Sequence, residues 1–269
     1  MILRKYYKIL HVSLIERLTY RSDFLLGTVL RLLPMVTTIL LWTAVYAGSG
    51  KNELAGFRLP EMIAYLLLVH ISRMFSSMPG LAGGIALDIR EGTLKKYLLQ
   101  PLDMLGYLIT YRVAHKIAYI VTAFLPYAGL FGLCHEYFDH FPDAATFAAY
   151  VISLILAFVI GFYFEACIGM VGFWLLEVTS LLYIVNTLNY FVSGHMFPLD
   201  LLPGTWVAVL KLLPFQYMAY FPAAVFLGKI HGPALWYGLA GEVAWAVALL
   251  GLARVLFRMG LRRYSAFGG

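Results

Sequence analysis

Charged residues are scarce in this sequence, and cysteine is almost missing. Only 13% of the 269 residues are Asp, Glu, Lys or Arg, about half the share in an ordinary soluble domain. Two cysteines, Cys134 and Cys167, are too few for a disulfide framework. Apolar residues make up 62% of the chain, and the mean hydropathy is +0.81. These values argue against a soluble enzyme, a disordered chain or a nucleic-acid binder, and they indicate an integral membrane protein.

Six apolar stretches are each long enough to cross a bilayer. A hydrocarbon core of about 30 Å needs roughly 20 mostly apolar residues per helix. The sequence therefore predicts an all-α integral membrane protein whose transmembrane domain, residues 24–257, contains six transmembrane helices. The predicted spans are residues 24–46, 61–82, 111–133, 146–172, 178–197 and 233–257.

Residues 1–23 precede the first of these spans. Apolar side chains there recur at steps of three and four, which places them on one helical face: Leu3, Tyr7, Leu10, Leu14 and Leu18. The pattern predicts an amphipathic helix that lies in the membrane interface. A polar leader without that role is the alternative.

The basic residues predict the orientation. Five lie in the N-terminal segment, five in the stretch from Arg90 to Lys116, and four from Arg254 into the basic tail, residues 258–269. The loops predicted on the opposite side hold four. Because Lys and Arg concentrate on the cytoplasmic side, both termini are predicted to be cytoplasmic.

The stretch 194–228 is apolar but rich in proline. Its prolines are Pro198, Pro203, Pro214 and Pro222. Proline interrupts a helix, because it lacks an N–H donor and clashes one turn back. We therefore expect short re-entrant helices on the outer side between spans five and six, rather than a further span.

The predicted spans also contain polar side chains, which are costly in lipid and usually face a bundle interior. They are Arg31, Arg73, Glu165, Asn186, Asn189 and Glu242. Arg73 and Glu165 lie at similar predicted depth, which makes an ion pair feasible. Two interpretations stay open: these groups stabilise helix packing, or they line a substrate path.

Catalytic and metal-binding motifs do not emerge from the sequence. The segment AGSGKNE, residues 47–53, lacks the first glycine of a phosphate-binding loop and has Asn52 where Ser or Thr must follow the lysine. We expect a chain that catalyses nothing alone and holds no metal or cofactor.

Two motifs resemble those of a known family. The first is DIREGTLKKYLLQPLD, residues 88–103, and the second is SGHMFPLDLLPGTWVAVLKLLPFQY, residues 193–217. In this order, they resemble the permease subunits of type-2 ATP-binding cassette (ABC) exporters. The N-terminal helix is similar to that family's connecting helix.

The resemblance implies a half-transporter in a bacterial inner membrane, which exports drugs, antibiotics, lipids or polysaccharide-like molecules. Its partners would be membrane lipid, a second permease subunit, identical or different, and a separate cytoplasmic ATPase that binds ATP and magnesium. Nucleic acid is not an implied partner. A stand-alone secondary transporter or channel is the alternative. Internal repeats are common in such proteins, but the two halves of this chain show none.

The cytoplasmic loop 83–104 would couple the permease to the ATPase. The residues that carry this expectation are Asp88, Arg90, Glu91, Gly92, Thr93, Leu94 and Leu98. Gly83 and Gly84 are expected to loosen the end of span two, and Asp88 with Glu91 resembles a capping box at a helix start. Leu94, Leu98 and Leu102 would then share one face of a short amphipathic helix.

Overall fold

The computed structural model describes residues 2–19, 21–99, 101–138, 140–175 and 177–264. Side chains of residues 2, 3, 21–26, 28, 29 and 31 are not among those described. Helices dominate, and they are α1 (Ile2–Thr19), α2 (Arg21–Ser49), α3 (Leu59–Ser76), α4 (Leu81–Arg90), α5 (Lys95–Leu98), α6 (Met104–Leu133), α7 (Ala144–Met170), α8 (Thr179–Val192), α9 (Gly204–Leu212), α10 (Tyr220–Phe226) and α11 (Pro233–Leu261). The strands of the described residues form one antiparallel hairpin, β1 (Glu53–Leu54) and β2 (Phe57–Arg58).

The chain divides into two compact units. The first comprises residues 1–52 and 96–139, and the second comprises residues 53–95 and 140–269. In the first unit, α1 and α2 both pack against α6. The guanidinium of Arg17 on α1 donates a hydrogen bond to the hydroxyl of Tyr111 on α6.

The second unit is built around α7, against which α3, α4, α10 and α11 pack. Glycines on α7 allow this close packing, because small residues let membrane helices approach backbone to backbone. A Cβ atom on Gly161 would lie 2.0 Å from the carbonyl oxygen of Ser76 on α3. One on Gly169 would lie 2.7 Å from the carbonyl oxygen of Ala82 on α4.

Five apolar helical stretches of the described residues are long enough to cross a membrane. They are Leu32–Ser49, Leu59–Arg90, Met104–Leu133, Ala144–Phe173 and Pro233–Leu261. The prediction of an all-α, multi-pass membrane protein is therefore confirmed. The stretch predicted as span five, residues 178–197, contains α8, whose 14 residues extend about 21 Å at 1.5 Å per residue.

The second stretch differs from its predicted boundaries of 61–82, because it is a helix with a break. Helix α3 ends at Ser76, and α4 begins at Leu81 after Pro79 and Gly80. Gly80 has a left-handed backbone, with φ of 74°, which glycine adopts without steric cost. The helix then continues to Arg90, so Gly83 and Gly84 lie inside α4 and do not loosen its end.

Residues 194–228 form short helical segments rather than one continuous helix. Each of the first three begins at or directly after a proline: Leu199–Leu201 follows Pro198, α9 follows Pro203, and Pro214–Met218 begins with Pro214. Every residue of α10 is buried. Covered backbone of this kind is compatible with membrane depth, where exposed irregular backbone is not tolerated.

Candidate functional site

A cavity of about 120 Å³ lies within the second unit. Its wall is formed by α3, α7, α8 and the segment that follows α8. The lining residues are Arg73, Ser76, Ser77, Gly161, Phe164, Glu165, Asn186, Asn189, Tyr190, Ser193, His195, Met218 and Ala219. Four of the six intramembrane polar residues singled out in the sequence, Arg73, Glu165, Asn186 and Asn189, therefore meet around one space.

Arg73 is held in place by two side chains that the sequence patterns missed. Its Nη1 donates a hydrogen bond of 3.2 Å to Nε2 of His195, and its guanidinium carbon lies 5.5 Å from the ring centroid of Tyr190. Because arginine only donates, this bond requires an unprotonated Nε2 on His195. His195 is 6% exposed, and its ring centroid is 4.9 Å from that of Tyr190.

The cavity wall also contains an unused hydrogen-bond acceptor. Oδ1 of Asn189 is buried and has no hydrogen-bond partner among the described residues. Ser76, by contrast, donates its hydroxyl to the carbonyl oxygen of Met218 at 2.8 Å, which connects α3 to the proline-rich segment. The site thus combines a cation, a carboxyl group, hydroxyls and amides beside aromatic surface, which suits a polar group on an otherwise apolar molecule.

The other two intramembrane charges are not part of this cavity as described. The side chain of Arg31 lies outside the described residues. Glu242 on α11 is fully buried and accepts a hydrogen bond of 2.9 Å from Ser153 on α7 through Oε1. It joins α7 to α11 and is absent from the cavity lining.

Residues at the start of the predicted coupling segment form hydrogen bonds at the C-terminal end of α4. Thr93 Oγ1 donates to Asp88 Oδ1 at 2.6 Å, and the Leu94 N–H donates to the Asp88 carbonyl oxygen at 2.9 Å. Gly92 has a φ of 73°, as is common for the residue after a helix end. The interpretation of Asp88 with Glu91 as a capping box at a helix start is therefore wrong, because both lie at the end of α4.

The leucines of the predicted amphipathic face have different environments. Leu94 is fully buried, whereas Leu98 is 45% exposed and the neighbouring Leu99 is 83% exposed. The helix α5 has only four residues, so Leu94 and Leu102 lie outside it. Leu98 and Leu99 are therefore accessible to a partner.

A comparison with protein-family models decides the family. The model described as ABC-2 family transporter protein matches residues 32–268. The chain belongs to the ABC-2 transporter family. The resemblance inferred from the two sequence motifs is confirmed. A comparison with curated proteins found no match.

Membership of this family shows which component of a transporter this ABC-2 protein is. It is a membrane permease component of a transporter and not itself an ATPase, and its family implies a partnership with an ABC ATPase subunit. Arg90, Glu91 and Gly92, at the end of α4, belong to the first of the two motifs that suggested this family.

An ion pair connects that end of α4 to the start of α8 in this ABC-2 protein. Arg90 Nη1 donates to Glu177 Oε2 at 3.2 Å, and the Thr179 N–H donates to Glu177 Oε1 at 2.8 Å. Hydrogen bonds from the side chain and backbone of Thr179, with the positive charge of Arg90, lower the pKa of the Glu177 carboxyl. Glu177 is therefore ionised at neutral pH.

Proposed function

We propose that this chain is the permease subunit of an ABC exporter and that its cavity is part of the substrate path. The observation that carries this proposal is the convergence of Arg73, Glu165, Asn186 and Asn189 on one cavity in a protein of the ABC-2 family. Polar groups inside the membrane are costly and usually serve a function or pair with one another. A packing role alone does not account for the buried, unpartnered Oδ1 of Asn189.

In this proposal, the complete transporter contains two permease subunits, identical or different, and a cytoplasmic ATPase that binds ATP and magnesium. This chain crosses a bacterial inner membrane six times, and both of its termini lie in the cytoplasm. The short helices of residues 194–228 re-enter the outer leaflet and cover the path.

Residues 88–103 would be the contact with the ATPase. Exposed leucines suit a helix-in-groove contact, in which apolar side chains enter a groove of the partner. Leu98 and Leu99 have the required exposure, and Glu91 is exposed at the end of α4.

Co-purification of the ATPase with a tagged permease tests this assignment. We expect Leu98→Asp to reduce the co-purified ATPase at least tenfold, because a carboxylate would have to be buried in the contact. We expect Glu91→Ala to weaken coupling as well, seen as lost stimulation of ATP hydrolysis by the permease.

The matched control is Leu133→Asp, because Leu133 is 83% exposed and lies at the C-terminal end of α6, outside the proposed contact. It should leave ATPase association unchanged. Full association of both the Leu98→Asp and Glu91→Ala variants, with normal hydrolysis, would refute the coupling role.

The cavity is tested by mass spectrometry of molecules that co-purify with the permease in detergent. We expect an amphiphilic molecule that is retained by the unmodified chain and depleted at least fivefold by Arg73→Gln or Asn189→Ala. Arg258→Gln is the control, since Arg258 is exposed at the end of α11. Equal retention by all variants would remove the cavity from the path.

A further inference from the structure

Helix α4 is a short, separate piece between two backbone breaks. The break at residues 77–80 separates it from α3, and the left-handed Gly92 follows it. Ser77, at the first break, lines the cavity. Along its length, α4 packs tightly on α7 and on the helical turn Val171–Phe173 that follows it, where a Cβ atom on Gly172 would lie 3.1 Å from the Cα of Ala86. A push on the far end of α4 would therefore move a rigid ten-residue segment.

Helix α8 is held loosely by comparison. None of its 14 residues is buried in the described chain, yet Asn186, Asn189 and Tyr190 on this helix form one wall of the cavity. Its first residue is Thr179, whose N–H is bound by the Glu177 carboxylate.

Glu177 joins these two helices through a single carboxylate. Its Oε2 accepts from Arg90, the last residue of α4, and its Oε1 accepts from the first residue of α8. The side chains of Arg90 and Glu177 are 48% and 59% exposed. A pair so exposed contributes little to stability.

We propose that the Arg90–Glu177 ion pair is a positioning link that transmits movement of α4 to the cavity wall formed by α8. This inference rests on the proposed function, because the movement of α4 would be driven by the ATPase. When the end of α4 shifts, the link displaces the start of α8 and with it the polar wall of the cavity.

A cysteine reporter on α8 measures this transmission. Asn186→Cys is introduced into a chain in which Cys134→Ser and Cys167→Ala remove the native thiols, and the permease is purified with its ATPase in nanodiscs. The rate of modification by N-ethylmaleimide is measured without nucleotide and after trapping with ATP and vanadate. With the link intact, we expect trapping to change this rate at least threefold.

Two substitutions break the link without removing the acceptor for the Thr179 N–H. Arg90→Gln removes the cation, and Glu177→Gln removes the negative charge but keeps an amide oxygen that accepts from Thr179. Glu177→Gln lies outside the proposed ATPase contact and should retain the co-purified ATPase, and both variants should lose the rate change. Arg90→Lys, which preserves the charge, and the control Arg258→Gln should both retain the rate change.

The outcomes separate this link from the function on which it rests. A full rate change in both Arg90→Gln and Glu177→Gln would overturn the link and leave the proposed function standing. An unchanged rate in the chain with an intact link would overturn both. Loss of the rate change in Arg258→Gln would also overturn the link, because a remote charge would then have the same effect.

Discussion

At Gly161, α7 lies close to the backbone of α3. The space that a Cβ atom would occupy lies 2.0 Å from the carbonyl oxygen of Ser76 and 2.9 Å from its carbonyl carbon. These are backbone atoms, so no side-chain rotation can relieve the clash. Ser76 also lines the cavity, and a displacement of α3 would therefore alter the site as well as the packing.

We predict that Gly161→Ala destabilises the protein, because overpacking a close contact costs about 1–3 kcal/mol. Thermal unfolding in detergent measures the effect. Gly251→Ala on α11 is the matched control, since no atom lies within 4 Å of its added Cβ and alanine has the higher helix propensity. Equal unfolding midpoints for the two variants would contradict the observed backbone contact.

Arg73 and Glu165 line the same cavity, and we predict that they interact. Removal of one partner leaves an unpaired charge in a poorly solvated site. Arg73→Ala and Glu165→Ala should therefore each lower the folded yield more than the double substitution does. The expected interaction energy is about 0.5–3 kcal/mol, measured as a double-mutant cycle from unfolding midpoints. Additive effects of the two substitutions would show that they act independently.

At the scale of elements, the positions of the helices were predicted more accurately from the sequence than their buried faces and their breaks. Pro79 and Gly80 form a typical breaker pair, but the apolar pattern alone did not reveal that the helix resumes and runs to Arg90. Gly83 and Gly84 have low helix propensity, and tertiary contacts override it, because α4 packs against Gly169 of α7.

Helix α1 makes contacts that its apolar pattern did not predict. Tyr7 and Leu18 of the predicted apolar face are 66% and 41% exposed, whereas Ser13 is only 5% exposed. The buried face is set by the partner helix α6, where Arg17 finds the Tyr111 hydroxyl. Sequence periodicity identifies an amphipathic helix, but it does not identify which polar side chains its partner accommodates.

The candidate site shows why intramembrane charge was a useful signal and aromatic content was not. Charged residues are rare enough in predicted spans that Arg73 and Glu165 stood out in the sequence. Tyr190 did not, because the chain holds 38 Tyr and Phe residues, and only the fold brings its ring and that of His195 to Arg73.

The start of α6 depends on a single capping side chain. Asp103 Oδ2 accepts a hydrogen bond of 2.8 Å from the backbone N–H of Gly106. We predict that Asp103→Ala lowers the free energy of unfolding by about 1 kcal/mol, as is typical for a lost N-cap. Asp103→Asn should cost less, because its amide oxygen still accepts this bond. Equal losses for Ala and Asn, measured by thermal unfolding, would show that the charge of Asp103 matters more than the cap.

At the scale of the whole molecule, α8 decides the number of crossings. Five helical stretches of the described residues are long enough to span the membrane, whereas α8 extends about 21 Å against a core of about 30 Å. A helix of this length crosses only if the flanking residues or a thinned bilayer cover the remainder. The distribution of Lys and Arg favours six crossings, because it places both basic termini on one side.

We therefore predict that the two ends of the chain lie on the same side of the membrane. Single cysteines at Lys8 and Arg258, in a chain without Cys134 and Cys167, should both be protected from an impermeant maleimide in intact cells and react after permeabilisation. A cysteine at Glu136, which is exposed beyond the end of α6, should react in intact cells. Protection of one terminus and labelling of the other would require an odd number of crossings, and α8 would then lie on one side of the bilayer. Because α8 carries Asn186 and Asn189, that result would also mean that the cavity opens at a membrane surface rather than within a complete six-helix path.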